Sequence, residues 1–76
     1  MYIVAPLIDG KPQMNDTQVY ASLDMAEQIA IQDCKNDNLD YVVMRVVFGQ
    51  SSIELLPIYI VNPAITAHIE HVTMFY

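Results

Sequence analysis

Residues 40–49 constrain this chain more than any other stretch. They run Asp40, Tyr41, Val42, Val43, Met44, Arg45, Val46, Val47, Phe48, Gly49, with Arg45 the one charge inside an apolar series. In a pleated strand, alternate residues face opposite ways, so Val42, Met44, Val46 and Phe48 share one face and Tyr41, Val43, Arg45 and Val47 the other. Both faces are largely apolar. Such a strand belongs in the middle of a sheet, with a helix over at least one side. The segment therefore predicts a sheet centred on residues 40–48 and a lid to cover it.

The lid is written upstream. Ser22 is a good N-cap, its hydroxyl able to accept a bond from an N–H one turn on, and Asp24 complements the positive end of the helix dipole. From residue 23 to about 35, Leu23, Ala26, Ile29, Ala30 and Cys34 fall in one stripe at 100° per residue, with Asp24, Gln28, Gln32 and Lys35 opposite. The stripe is rich in alanine, which suits a helix lying close against a sheet. Asn36, Asp37 and Asn38 tolerate the left-handed conformation of a C-cap and end the helix.

The flanking segments supply further strands. Residues 2–8 read as a first strand, with Pro6 placing it at an edge or a bulge because proline has no N–H for a ladder. Asp9, Gly10, Lys11 and Pro12 read as a turn, the residues up to Asp16 as polar and irregular, and residues 17–21 as a short second strand. Residues 49–52 form a turn that returns residues 53–61 as an antiparallel hairpin partner, and Pro57 again marks an edge or a bulge. After Asn62 and Pro63, a cap and a first-turn proline, Ile65, His68, Ile69, Val72 and Tyr76 cluster at helical spacing. A C-terminal helix is expected there, with a strand paired to residues 53–61 as the alternative. The expected architecture is a single α+β domain in the order β-β-α-β-β-α, an antiparallel sheet of three to four strands with one main helix across a face.

At 76 residues, a chain buries only about 60–65% of its unfolded surface. Apolar types make up 54% of it and charged types 16%, against about 25% charged in an ordinary soluble domain. Some apolar side chains must stay outside, which favours a homodimer or a covering partner. The net charge of −6 argues against nucleic acid or an anionic membrane as a direct partner, since both need basic groups to neutralise phosphates. It favours a basic partner. The single cysteine, Cys34, allows no disulfide and no thiolate cluster, and its place in the helix stripe makes it a small buried hydrophobe. The apolar run 2–8 has no basic residue before it and meets Asp9 at once. No signal peptide or membrane helix is expected, and a cytoplasmic location follows as the expectation.

Few residues carry chemistry. His68, Glu70 and His71 could face one metal, because two imidazoles three apart share a helix side. They lack a third and fourth ligand and a His-Glu-x-x-His frame, so no cofactor is expected, and a metal-dependent protein using these three is kept as an alternative. With two glycines, Gly10 and Gly49, the chain cannot build a phosphate cradle. Arg45 must reach solvent or pair with an acid such as Glu54, because an unpaired buried charge costs several kcal/mol. Catalysis needs convergent polar groups, and none converge here, so the chain reads as no enzyme.

The acids are crowded: Asp16, Asp24, Glu27, Asp33, Asp37 and Asp40 occupy one third of the chain, offset by Lys35. Asp24 and Glu27 suit a helix start. Asp33 and Asp37 sit by its negative end, where the dipole opposes them by roughly a few tenths of a kcal/mol each. A local cost without a local gain marks Asp24, Glu27, Asp33, Asp37 and Asp40 as candidate partner-binding residues. The other reading is a solvated acidic face that keeps an apolar protein in solution.

The run Val19, Tyr20, Ala21, Ser22, Leu23, followed by Ala26, Glu27 and Ala30 and then by Tyr41, Val42 and Val43, makes a strand, capped helix and strand. That pattern is similar to many very small proteins of phage and other mobile elements. With the acidic balance, the chain resembles the phage-encoded anti-defence class, including anti-CRISPR and anti-restriction proteins, over residues 19–47. The resemblance implies a non-enzymatic inhibitor that binds a larger host protein with a basic surface and offers acids where nucleic acid would lie. A homo-oligomeric structural or adaptor protein is the alternative that the apolar surplus supports.

Overall fold

The computed structural model describes residues 1–14 and 17–66. In chain order these form β1 (Tyr2–Ile8), β2 (Lys11–Pro12), β3 (Val19–Tyr20), α1 (Leu23–Asp37), β4 (Tyr41–Phe48), β5 (Ile53–Val61) and one helical turn, α2 (Pro63–Thr66). The strands make one antiparallel sheet in the order β2-β1-β4-β5, with β3 also paired to β1. The α+β expectation holds, and β4 lies between β1 and β5 as its two apolar faces require. The sheet has five strands rather than three to four, because the region expected to be a turn and an irregular stretch contributes β2. Only Asp9 and Gly10 turn the chain. Both have positive φ, 54° and 77°, as a two-residue hairpin loop matching the strand twist demands, so Lys11 and Pro12 can pair back with Ile8 and Leu7.

Pro6 interrupts the outer edge of β1. The Val46 N–H donates to the Met1 carbonyl at 2.9 Å and the Leu7 N–H to the Asp40 carbonyl at 2.8 Å. Backbone groups alternate sides along a strand, so Ile3, Ala5 and Leu7 bond towards β4 while Val4 and Pro6 face the outer edge. There the Pro6 carbonyl accepts the Gln13 N–H at 2.8 Å, and proline has no N–H to return. The outer ladder lapses at this point and resumes only at Ile3 opposite Val19. From Leu7 to Ile3 is four steps of β1, while from Pro12 to Val19 is seven. The expectation of an edge or bulge at Pro6 thus takes a specific form: β1 is interior, and its outer neighbour is interrupted.

Helix α1 begins where its cap dictates, with the Met25 N–H donating to Ser22 Oγ at 3.2 Å. It runs two residues past the expected end, to Asp37. Asn38 closes it in the left-handed conformation at φ 56°, its N–H donating to the Cys34 carbonyl at 2.9 Å. The alanine stripe seats the helix: Ala26, Ala30 and Cys34 are each 0% exposed and pack with Val4, Tyr41, Val43 and Val61. Cys34 is the buried small residue its place in the stripe implied. The opposite sheet face gathers Ile3, Ala5, Val42 and Met44, with Leu7 and Val46 against them.

Past the helix the β4–β5 hairpin changes character. Phe48 is 63% exposed and Ile53 64%, and Leu55, Leu56, Ile58 and Ile60 are exposed too. The β4–β5 register shifts so that Val43 faces Tyr59 but Met44 faces Pro57, with Ile58 as the extra residue. Pro57 therefore stands at a bulge and on the outermost strand, both of the places open to a proline. Arg45 is exposed opposite Leu56, with Glu54 two pairs along opposite Val47. It is the solvent-facing interruption of its strand. No helix among the described residues is long and apolar enough to cross a membrane. The expected C-terminal helix falls, past Thr66, outside the described residues.

Candidate binding cleft

A cleft of about 450 Å³ lies between β1, α1 and the chain at residues 17–20. Its walls are Val4 and Pro6 from β1, Thr17, Gln18 and Tyr20 from the returning chain, Ile29 and Asp33 from α1, and Tyr41 at the start of β4. That volume lies within the range of small-ligand sites, roughly 300–1,000 Å³. Val4, Pro6 and Ile29 give it an apolar floor, and the remaining walls are hydroxyls, one amide and one carboxylate.

The hydroxyls are already committed as donors. Tyr41 O–H donates to Asp37 Oδ2, Tyr20 O–H to Gln18 Oε1 at 3.4 Å, and Thr17 Oγ1 to the Met14 carbonyl at 3.4 Å. Asp33 is half-buried beside them. Burial, and then the charge of Asp37, hold its carboxyl above the usual carboxylate value. The folded state thus tolerates the charged form of Asp33 less well than the unfolded chain does. This cost is absent below the ordinary value of 3.8 and develops as pH rises through the folded one. Tyr41 is pushed up by burial first, then by its bond to Asp37 and the charges of Asp37 and Asp33.

The five candidate acids do not form one surface. Helical spacing puts Asp24 and Glu27 on one flank of the alanine stripe and Asp33 and Asp37 on the other. Glu27 and Asp24 both act on Tyr59, whose phenol is raised chiefly by burial and then by Glu27. Glu27 raises the buried Tyr59 phenol by its charge and as a nearby acceptor, although no bond of ordinary geometry reaches that hydroxyl among the described residues. Asp33 and Asp37 act on Tyr41 instead. Asp40 immediately precedes Tyr41, exposed, while its backbone carbonyl anchors Leu7. The structure brings Asp33 and Asp37 together beside Tyr41 and sets Asp24 and Glu27 apart.

No family model, curated protein or solved structure matches this chain. Among the described residues no group of three or more His, Cys, Asp or Glu side chains is placed to hold a metal; His68, Glu70 and His71 lie outside them, as does Asp16. The cleft residues that sequence reasoning missed are Thr17, Gln18 and Tyr20. The signal that could have found them was Pro6: a proline whose nitrogen faces a pairing edge forces the neighbouring strand to part from it, and space opens where it parts.

Proposed function

We propose that this chain is a non-enzymatic binding protein, an inhibitor that occupies the basic, nucleic-acid-handling surface of a larger host-defence protein. The observation that carries the reading is the pairing of Asp33 and Asp37 beside Tyr41 at the negative end of α1, with exposed Asp40 next in the chain before Tyr41. Asp33 and Asp37 in that position oppose the helix dipole and each other, and Asp33 is held partly out of water. A basic surface would relieve all three costs at once.

Binding of this kind weakens with salt, since exposed charges are screened over about 8 Å at physiological ionic strength and about 3 Å at 1 M. The test is capture of a nucleic-acid-targeting defence complex by the tagged chain, repeated with Asp33→Lys, Asp37→Lys and Asp40→Lys combined. Capture should fall at least tenfold in the triple variant and fade as salt rises. Capture that survives both would sink the acidic mechanism.

The exposed Phe48, Ile53, Leu55, Leu56, Ile58 and Ile60 favour a second reading, a homo-oligomeric structural or adaptor protein. Residues 41–61 contain Arg45 and Glu54 as their only charges. Two copies of net charge −6 can meet there without opposing acids. Light scattering separates the readings. An assembly at or above twice 8.6 kDa that Ile53→Lys dissociates supports the second, and a monomer at high concentration removes it.

A further inference from the structure

We propose that the cleft between β1, α1 and residues 17–20 is a receptor for a primary alkylammonium group, with Asp33 as its counter-charge. The inference starts from which hydrogen-bonding roles the walls have left. With the Tyr41 and Thr17 protons donated to Asp37 and the Met14 carbonyl, these two hydroxyls offer a guest their oxygen lone pairs. Asp33 is an acceptor when ionised, and Gln18 Oε1 has a second lone pair. The Gln18 amide nitrogen is the one remaining side-chain donor among the lining residues. A cleft so biased towards acceptors rejects anions and selects a cation rich in N–H donors.

The shape narrows the class. An ammonium carries three rotatable donors on a slender alkyl stem, whereas a guanidinium is planar and calls for a facing, bidentate carboxylate. Asp33 is the single carboxylate lining this cleft, and its partners are scattered hydroxyl and amide oxygens. Val4, Pro6 and Ile29 supply an apolar floor for methylenes, the arrangement in which a lysine-like stem lies down while its head stays polar. An ammonium would also relieve the raised pKa of Asp33, because an adjacent cation favours the charged carboxylate.

The same chemistry can arrive as a free amine or as a lysine side chain on a partner, and only the second case rests on the proposed function. Both are read by NMR titration of the labelled full chain, following backbone amides. The probes are n-butylammonium, a short peptide with one lysine, the same peptide with acetyl-lysine, and n-butanol. Saturable shifts centred on Val4, Thr17, Gln18, Tyr20, Ile29 and Asp33 are expected for n-butylammonium or the lysine peptide, with a dissociation constant of about a millimolar, ordinary for so few heavy atoms. Shifts with the amine place the receptor with free amines. Shifts with the peptide alone place it with a protein-borne lysine, and either supports the proposal. Asp33→Asn should weaken binding at least tenfold, while Asp24→Asn on the other flank should leave it unchanged. The amide spectrum reports whether each variant remains folded. Equal binding of acetyl-lysine peptide or n-butanol, equal loss in the two variants, or no saturable shift with either cation would overturn the assignment. A failed capture experiment with a working amine titration would remove the inhibitor reading and leave the receptor standing.

Discussion

Replacing Ala30 with leucine should lower the melting temperature by about 10 °C or more. Ala30 is 0% exposed in the middle of the stripe by which α1 meets the sheet, with Ala26 and Cys34 equally buried on either side. Helix-to-sheet distance here is set by one methyl group. Three added carbons must either push α1 away from Val4 and Val43 or take a strained rotamer, and overpacking of this kind costs about 1–3 kcal/mol. A domain of 76 residues has a total stability of only about 4–11 kcal/mol at 0.05–0.15 per residue. One kcal/mol moves the midpoint of so small a domain by about 4–8 °C. Thermal denaturation followed by circular dichroism reads the shift, with Ala21→Leu, at an exposed position before the cap, as the control. A midpoint that stays within two or three degrees of the parent would mean that the alanine stripe does not clamp α1 to the sheet.

Much of the fold was legible because it is local. Ser22 capped its helix where a hydroxyl is needed, Asn38 ended it where a left-handed residue is tolerated, and the alternation of residues 41–48 sorted their side chains into two faces, of which the one with Tyr41 and Val43 meets the helix. The cleft was not legible for the opposite reason. It exists because the missing N–H of Pro6 falls on the outer side of β1, and that depends on a strand register set by Val46 and Asp40, some forty residues away along the chain. The separation of the acids was likewise hidden. Proximity in sequence grouped Asp24 with Asp37, whereas a helix turning through 100° per residue sends them to different flanks, where Tyr59 and Tyr41 report their charges separately. The exposed half of β5 was implied by the apolar surplus but not located by it, since periodicity cannot show where a helix of fixed length stops covering a longer hairpin.

Raising the pH above 10 should destabilise the protein progressively, and Tyr41→Phe should remove much of that loss. Tyr41 is 6% exposed, and its phenol is held above the ordinary value of 10.0 by burial, by its bond to Asp37 and by the charges of Asp37 and Asp33. Between the ordinary value and the folded one, the unfolded chain has released this proton and the folded chain still holds it. Stability from this group is therefore complete below about pH 10 and falls as pH rises, by up to about 1.4 kcal/mol per pH unit. Tyr59, raised for similar reasons by burial and Glu27, acts in the same direction. At neutral pH the phenylalanine variant should be the weaker protein, because it loses the bond to Asp37, a hydrogen bond to a charged group worth about 1.5–3 kcal/mol. The difference should shrink as pH climbs past 10, and the order of the two should reverse at higher pH. Urea unfolding midpoints at a series of pH values from 7 upward would show the crossing. Two curves that stay parallel throughout would mean that the Tyr41 phenol is not raised by its surroundings, and Asp33 and Asp37 would not be the electrostatic centre of this end of the helix.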